Sequence, residues 1–368
     1  MQEEERSATH RRDFCKGTLA LAVGALSVTA ASATGRPLSD KEKLSRIASS
    51  CWPPRHLFRA PKEGEVNPNT QELRRKYGTI TMLDFPQWTK DTYPGVYHMD
   101  LWSSVFGDPD DPDQFTEVKM EGGGGSRSFL EWDPSTPASR RWLDRMVEQM
   151  ERTGTRCCHI SNNAPRNLAD PNEELRQEGV RVAKAWMDAA SILGAKTMRA
   201  NTGISGTRIM PEAKADKSGY PRNDEIVRYF NQCIKSFREL AEYGEKVDVI
   251  ITIENHWGLC ANPMNIRIIV EEVNHPYCEA TPDFCNWEHE YHLFYGLEVL
   301  MPWTHHHVHA KYWDRWKTPE KDWNDVARSV QVLKAHDFRG TIALEYEEGP
   351  WDGIQGSLWL RDQVLAAL

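Results

Sequence analysis

Four side chains of types that commonly bind metal ions occur at intervals in the last third of the chain. Glu254 lies in TIENHWG, Asp283 in TPDFCNW, His309 in HVHAKYWD and Glu345 in ALEYEEG. Each falls at or near the end of a β-favouring run, where a lone buried charge is costly unless an opposite charge meets it. A divalent cation would resolve the mutual repulsion of three carboxylates placed together. The pattern predicts a metal site whose mostly oxygen ligands favour Mn²⁺, Mg²⁺ or Co²⁺ and also admit Zn²⁺.

A structural role is the alternative for each of these residues taken singly. A single acid at a strand end is more often a salt-bridge or helix-capping partner. His307 and His309 alternate onto one face of their strand, so one of them can be a core histidine. The occurrence of ligand types at four consecutive strand ends is what favours the metal site.

Eight β-rich runs that alternate with amphipathic helices must position these residues. Such alternation requires crossover connections and therefore parallel strands. Eight units in about 290 residues predict an α/β fold of the (β/α)8 TIM-barrel type, whose carboxyl strand ends meet on one catalytic face. The predicted strands are Thr79–Phe85, Val96–Ser103, Arg156–Ser161, Lys196–Asn201, Val247–Glu254, Cys278–Phe284, His305–Lys311 and Gly340–Tyr346.

An open, doubly wound sheet is the alternative architecture, but it lacks a glycine-rich phosphate loop after its first strand. The segment Glu121–Ser126, EGGGGS, has no G-x-G-x-x-G spacing and predicts a flexible loop. The long connection Thr202–Arg222 predicts an active-site loop. Helix starts are predicted at Asp170–Glu173, Asn262–Pro263 and Thr318–Pro319, where capping residues and prolines coincide.

The four motifs together resemble those of the sugar phosphate isomerase/epimerase family, which has a xylose isomerase-like TIM barrel. Further stretches agree, and the resemblance covers most of residues 77–368 in order. These stretches are CHISNNAPRNLADPNEE, LGAKTMRANTG and VEEVNHPYCEATPDF. As a set they are specific for the fold and the metal site and leave the substrate open.

The resemblance implies roles for individual residues. Glu254, Asp283, His309 and Glu345 match the family's metal ligands. In the ketose epimerases of the family the two matched glutamates also move a proton on opposite faces of the sugar, which implies catalytic roles for Glu254 and Glu345. Arg315 matches a substrate-binding arginine in its spacing from His309.

Two departures from the family pattern concern the residues around the substrate. Asn286 stands where the ketose epimerases carry a histidine, which weakens the case for a ketose 3-epimerase specifically. The family's H-A-K-D is replaced here by HAKYWD, so the chemistry at the rim of the site is non-standard.

The predicted chemistry is the removal of a proton next to a carbonyl. It needs a base within hydrogen-bond reach and positive charge near the developing enolate. A metal bridging two adjacent sugar oxygens acts as Lewis acid and template. Lys311 either adds charge near the enolate or partners a ligand carboxylate. His256 faces the same side as Glu254 if the strand persists, and either contacts substrate or has a structural role.

The N-terminal 33 residues resemble a twin-arginine export signal. The pair Arg11 and Arg12 precedes a mildly apolar run, Thr18–Thr29, and a small-residue cleavage pattern, Ala31–Ala33. The run is too short to span a membrane. It predicts export to the periplasm or another extracytoplasmic location, with membrane contact only through the signal.

The rest of the chain divides into a predicted N-terminal extension, residues 34–76, and the barrel, residues 77–368. Its hydrophobic content of 39% and charged content of 27% are typical of globular domains. The net charge of −9 and the absence of a basic stripe argue against nucleic acid as a partner. A small-molecule carbohydrate is the expected substrate, and homo-oligomerisation stays open.

The leading functional hypothesis is a metal-dependent sugar isomerase or epimerase. Proton abstraction next to a keto group can also end in elimination, so a keto-sugar lyase or hydro-lyase uses the same residues. AP endonucleases share this fold, but they use several metals, more histidines and a basic DNA-binding face. A non-catalytic sugar-binding barrel is the last alternative, and the presence of all four ligand types argues against it.

Overall fold

The computed structural model of the chain describes residues 37–122, 125–202, 225–256, 258–287, 289–319 and 321–368. Within these ranges helices alternate with strands along most of the chain. The strands are β1 Ile47–Ser50, β2 His98–Trp102, β3 Phe115–Gly122, β4 Gly125–Trp132, β5 Arg156–Ser161, β6 Thr197–Arg199, β7 Ile250–Ile253, β8 Cys278–Ala280, β9 His307–Trp313 and β10 Thr341–Glu348. The helices are α1 Asp40–Leu44, α2 Pro68–Tyr77, α3 Phe85–Thr92, α4 Pro137–Thr153, α5 Glu173–Ile192, α6 Glu225–Val247, α7 Pro263–Val273, α8 His292–Leu300, α9 Val326–Ala335 and α10 Gly353–Ala367.

Eight of the strands form one parallel sheet in the order β8-β7-β6-β5-β2-β1-β10-β9. An isolated parallel bridge between Asp283 and His309 joins the segment after β8 to β9. The His309 N–H donates to the carbonyl of Pro282 at 3.1 Å, and the Phe284 N–H donates to the carbonyl of His309 at 3.1 Å. The two edges of the sheet therefore meet, and the predicted TIM-barrel fold is confirmed.

The first barrel strand differs from the prediction. It is β1, Ile47–Ser50, which pairs with β2 and β10 and lies in the segment 34–76 that the sequence predicted to be an extension. The predicted strand Thr79–Phe85 instead holds a short 3-10 turn that leads into α3. Thr81 and Asp84 form a capping box there, a helix-start signal that outweighs the β-favouring composition of the run. The barrel thus begins before residue 77.

The glycine-rich segment Glu121–Ser126 also differs from the prediction. It contributes the paired ends of an antiparallel hairpin, β3 and β4, with Gly122 opposite Gly125. Val118 lies opposite Phe129 in this hairpin, the kind of β-branched and aromatic cross-strand pair that stabilises two strands. The strands flanking the glycines therefore continue further than the glycine content suggests.

The predicted helix start at Asn262–Pro263 is confirmed, and the one at Asp170–Glu173 is confirmed in position, although the N-cap is Asn172 and not Asp170. Asn172 accepts hydrogen bonds from the first turn of α5, and Asn262 does so for α7. The predicted start at Thr318–Pro319 is wrong, because α9 begins at Val326 with Asp325 as its N-cap. The predicted leader, and nearly all of the predicted loop Thr202–Arg222, lie outside the described residues. No helix in the described ranges has the length and apolarity to cross a membrane.

Candidate metal and carbohydrate site

Three of the four predicted metal ligands converge inside the barrel. Glu254 directly follows β7, His309 lies in β9 and Glu345 lies in β10. One candidate ligand atom from each lies within 4.8 Å of the others, and all three residues are buried. The Nδ1 atom of His309 is 3.6 Å from Oε1 of Glu254. The sheet thus brings together residues from three separate strands.

Asp283, the fourth predicted ligand, adjoins this group across the seam between β8 and β9. Its Oδ1 accepts hydrogen bonds from the backbone N–H groups of Cys285 and Asn286, the latter at 2.7 Å. Its Oδ2 lies 3.7 Å from Nζ of Lys311. One carboxylate oxygen is therefore fixed by the backbone, and the other faces the charged residues of the site.

The polar atoms left without hydrogen bonds support a metal site. Among the described residues, Oε1 of Glu254, Oδ2 of Asp283 and Nδ1 of His309 are buried and have no hydrogen-bond partner. Buried polar atoms are rarely left in this state in folded proteins. A divalent cation would satisfy all three, and a mostly oxygen donor set with one imidazole suits Mn²⁺ or Mg²⁺. The residues present therefore fit a metal ion.

Two buried cations hold the catalytic glutamate candidates. The guanidinium of Arg199 donates to Oε2 of Glu254, and Nζ of Lys311 donates to Oε1 of Glu345 at 2.6 Å. Lys311 also pairs with Glu347 at 3.0 Å. Burial alone would raise the pKa of Glu345, but Lys311 and His309 outweigh it and lower this pKa to about 2. Asp283 has a raised pKa, because burial and the nearby Glu345 and Glu254 disfavour its charge more than Lys311 favours it.

Asp100 fixes the orientation of His309. Its Oδ2 lies 3.2 Å from Nε2 of His309, and its Oδ1 accepts a hydrogen bond from Ser161 at 2.8 Å. This contact leaves Nδ1 of His309 facing Glu254. Burial lowers the pKa of His309, but Glu254 and Asp100 outweigh it and raise this pKa to about 9. A carboxylate on the second nitrogen of a ligand imidazole sets its tautomer and increases its basicity.

A second group of buried histidines lies next to this site, with His159 stacked on His307. Their ring centroids are 4.2 Å apart and their planes differ by 9°. Together with Asp100 and His309 they offer ligand-type atoms within 4.8 Å of one another. Lone pairs in two nearly parallel, stacked planes do not converge on one point, however. This layer is a stacked imidazole pair in its present arrangement and not a second convergent ligand set.

A cavity of about 340 Å³ opens beside the metal ligands. One part of its wall is polar or charged, and the other part is formed by three indoles. The lining residues are Ser50, Trp52, Trp102, Ser161, Asn163, Arg199, His256, Asn286, Lys311, Trp313, Glu345 and Glu347. A concave site of this size with a few convergent polar groups is typical of small-molecule binding.

The structure places three of the four predicted substrate-binding residues on this cavity. His256, Asn286 and Lys311 line it, and Nδ2 of Asn286 is buried without a hydrogen-bond partner among the described residues. Arg315 does not line it: the residue is exposed, and its guanidinium lies 5.1 Å from the ring centroid of Trp313. The short 3-10 turn Asp314–Trp316 follows β9 directly and carries Arg315 away from the strand direction.

Several residues of the site were missed in the sequence. Asp100 and Arg199 come from β2 and β6, in the first half of the barrel, whereas the ligand motifs all lie in the second half. Both were visible as charged residues inside β-favouring runs, HMDLW and TMRAN. Glu347 follows Glu345 by two residues and so belongs to the same motif.

The sequence model of the xylose isomerase-like TIM-barrel family matches residues 121–363. This chain belongs to that family. The match spans β3 to α10 and includes all four predicted metal ligands. No curated protein sequence matches the chain.

Several solved structures share the fold of this chain at low sequence identity. An L-ribulose 3-epimerase superposes with a TM-score of 0.56 at 12% identity, covering 88% of this chain and 95% of that one. The apo 3-keto-D-glucoside 4-epimerase from E. coli gives 0.55 at 13% identity, covering 86% and 99%. A xylose isomerase-like TIM-barrel protein from Mycobacterium smegmatis in complex with magnesium gives 0.55 at 12% identity, covering 89% and 99%. At such identities the likeness establishes the fold.

Proposed function

We propose that this protein is a metal-dependent sugar isomerase or epimerase that removes a proton next to a carbonyl. The observation that carries the proposal is the set of buried, unpartnered ligand atoms on Glu254, Asp283 and His309 beside a cavity of small-molecule size. The two named epimerases among the structural neighbours agree with a carbohydrate substrate. The complex with magnesium agrees with a divalent ion, which would supply Lewis-acid polarisation of the carbonyl.

The chain's own residues divide the remaining work. Glu254 and Glu345 reach the ligand cluster from β7 and β10, which supports a role for each as the group that takes or returns a proton. Arg199 holds one oxygen of Glu254 and thereby leaves the other free. Lys311, fixed by Glu345 and Glu347, lies at the cavity wall, where its ammonium group can donate a hydrogen bond to a developing oxyanion.

The charges lining the site favour an uncharged carbohydrate. Five carboxylates lie in or beside it, against three permanently charged side chains, those of Arg199, Lys311 and Arg55. The carboxylates are Asp100, Glu254, Asp283, Glu345 and Glu347. A divalent ion would bring the balance close to neutrality. No surplus of positive charge would then be available for a phosphate group, so a free or glycosidic sugar suits the site better.

Elimination is the competing outcome at the same site. The enolate formed by proton removal can expel a neighbouring hydroxyl, so a keto-sugar lyase would use the same base and the same metal ligands. A phosphodiesterase of the AP endonuclease type is disfavoured, because it needs several metal ions. Of the two groups of ligand-type atoms in the described ranges, the histidine group is stacked and its lone pairs do not converge on one point.

The test is solvent exchange at carbon. The Mn²⁺- or Mg²⁺-loaded protein is incubated in D2O with a panel of free ketoses and keto-glycosides, and deuterium incorporation and products are followed by NMR. Epimerisation returns a deuterated isomer, and elimination gives a dehydrated product. We expect Glu254→Gln to abolish exchange while the protein still unfolds cooperatively, at a lower melting temperature because the buried guanidinium of Arg199 loses its charged partner. Glu298→Gln, an exposed change in α8 away from the cavity, should leave exchange intact. Full exchange by the Glu254→Gln protein would remove Glu254 from the mechanism.

We also propose that the protein is exported through the twin-arginine pathway. The arginine pair, the short apolar run and the small-residue cleavage pattern in residues 1–33 support this. A fusion of this segment to a reporter that matures only in the cytoplasm should appear in the periplasm. Replacement of Arg11 and Arg12 by lysine should retain it inside the cell, and unchanged export would contradict the proposal.

A further inference from the structure

We propose that the substrate binds as a closed six-membered glycoside ring, with its carbonyl on a ring carbon, between the indoles of Trp52 and Trp313. The inference rests on the proposed function and names its substrate class. The two indoles come from opposite ends of the sequence, since Trp52 follows β1 and Trp313 ends β9. Both line the cavity beside the metal ligands.

The two rings converge on one point at the cavity wall. The Nζ atom of Lys311 lies 5.8 Å from the ring centroid of Trp52 and 5.9 Å from that of Trp313. Atoms in direct contact with a ring lie nearer, at about 3.5 to 4 Å. The ammonium group therefore marks the floor of a slot and leaves room for further atoms at each indole. The same ammonium binds Glu345, so the slot lies next to a catalytic glutamate.

Neighbouring side chains hold both indoles in place. The guanidinium of Arg55 lies 4.3 Å from the ring centroid of Trp52, and Trp102 meets Trp52 edge-on with centroids 4.8 Å apart. The guanidinium of Arg315 lies 5.1 Å from the centroid of Trp313. These contacts limit the rotation of each indole, so a stacking surface is available before ligand binds.

An indole face selects the shape of the sugar. A pyranose ring presents its C–H bonds as a compact apolar face, whereas an open-chain ketose has no such face. The hydroxyl groups around the ring edge would meet Asn163, Asn286 and Glu347, which line the polar wall. A slot with aromatic sides and polar ends therefore matches a closed sugar ring better than an extended chain.

The position of the carbonyl follows from ring closure. A glycosidic bond locks the anomeric carbon, so the ketone must be on another ring carbon. The C–H bond next to that ketone breaks, its electron pair forms the enolate, and the proton passes to a glutamate. A proton returned to the opposite face restores the ketone with inverted configuration and no net redox change. A separate dehydrogenation of a ring hydroxyl must therefore supply this substrate.

Binding and exchange measurements with two kinds of sugar test the inference on the Mn²⁺-loaded full chain. Methyl keto-glucopyranosides with the ketone at C2, C3 or C4 keep the ring closed, whereas D-xylulose cannot form a six-membered ring. We expect at least one glycoside to bind about tenfold more tightly than xylulose by calorimetry, and to exchange deuterium. Equal or tighter binding of xylulose would overturn the inference.

Variants of the two indoles give a second readout. Trp52→Ala and Trp313→Ala should each weaken glycoside binding about five- to tenfold and leave xylulose binding unchanged, whereas the Phe variants should stay within about threefold of wild type. Trp351→Ala, at an exposed indole outside the cavity, is the matched control. Unchanged glycoside binding in both alanine variants would overturn the inference. The comparison of the two kinds of sugar uses only the wild-type chain, so it does not depend on whether a variant folds.

The two proposals fail in distinguishable ways. If a glycoside binds through the indoles but no sugar exchanges deuterium, the proposed function is wrong and the stacking slot stands. If xylulose exchanges and no keto-glycoside binds or exchanges, the proposed function stands and the ring-closed substrate is wrong.

Discussion

Two histidines on one strand differ in their chemistry although only one residue separates them. His309 and His307 both lie buried inside the barrel on β9. Glu254 and Asp100 raise the pKa of His309 to about 9 against the effect of burial. Burial and the neighbouring His309 lower the pKa of His307 well below its usual value, and Asp100 offsets them only in part. His309 therefore carries a proton that a metal ion can replace, whereas His307 is a neutral core residue.

The partners of the ring nitrogens explain the difference further. The hydroxyl of Thr341 donates to the carbonyl of His306, so it accepts a hydrogen bond from Nδ1–H of His307 at 2.7 Å. Thr197 fixes His159 in the same way, through Cys158. These two rings are stacked and uncharged, and their Nδ1 atoms are used within the core. Position relative to carboxylates thus decides which buried imidazole can bind a metal.

The largest expected effect separates the two histidines directly. His309→Gln removes a metal ligand, so the affinity of the variant protein for Mn²⁺ should fall by at least about 100-fold. This exceeds the usual loss when a residue that only hydrogen-bonds to a ligand is changed. His307→Gln should change the affinity by less than about threefold, because His307 packs edge-on against the ring of His309 but contributes no atom to the ligand group of Glu254, His309 and Glu345. Calorimetric titration with Mn²⁺ after chelator treatment measures both. Similar losses of metal affinity in the two variants would show that His307 and His309 do not differ in metal binding.

A smaller loss is expected when the partner of His309 is changed. Asp100→Asn keeps the shape but removes the charge that orients the imidazole, so metal affinity should fall about 10- to 100-fold. Ser161→Ala, which removes the hydroxyl contacts to Asp100 and to Nε2 of His309 but leaves the carboxylate of Asp100 in place, serves as the milder companion variant. An Asp100→Asn protein with wild-type metal affinity would show that His309 needs no such partner.

The pH dependence of metal binding should also follow His309. Its raised pKa means that the metal-free protein carries a proton there below about pH 9, and a ligand imidazole must lose it. Metal affinity should therefore fall as pH drops, by up to about tenfold per pH unit for each proton released. The raised pKa of Asp283 acts in the same direction. Calorimetry in buffers of different ionisation enthalpy counts the protons, and a pH-independent affinity would contradict the assignment.

The smallest effect is expected when a hydrogen-bond partner of the stacked pair, His159 and His307, is changed. Thr197→Val removes the hydroxyl that accepts from His159, and should lower the free energy of unfolding by about 1 kcal/mol without changing metal affinity. Denaturant unfolding with and without Mn²⁺ measures both quantities. A change in metal affinity comparable to that of Asp100→Asn would show that the stacked pair of His159 and His307 is coupled to the metal ligands.

The sequence predicts the parts of this molecule that depend on local pattern. The parallel strands, the barrel and the asparagine helix caps follow from periodicity and capping chemistry within a few residues. The motifs around Glu254 and Glu345 were recognisable because a charged residue there interrupts an apolar strand. The strand β1 was missed, since its four residues, IASS, carry little apolar pattern.

The contacts that give the site its properties are long-range, and sequence patterns do not reveal them. Asp100 and His309 are 209 residues apart, and Arg199 and Glu254 are 55 apart. Nothing in the local sequence distinguishes His307 from His309, because the carboxylates that separate them come from other strands. The indoles of Trp52 and Trp313 are likewise indistinguishable in sequence from the core tryptophans, such as Trp142, which is 1% exposed.

Anomalous diffraction from crystals of the protein soaked in Mn²⁺ tests the central claim most directly. The account predicts one strong peak per chain, bound by Glu254, Asp283, His309 and Glu345, with no peak between His159 and His307. A chain with no peak at the four ligands, or with the ion held by the stacked pair, would contradict it.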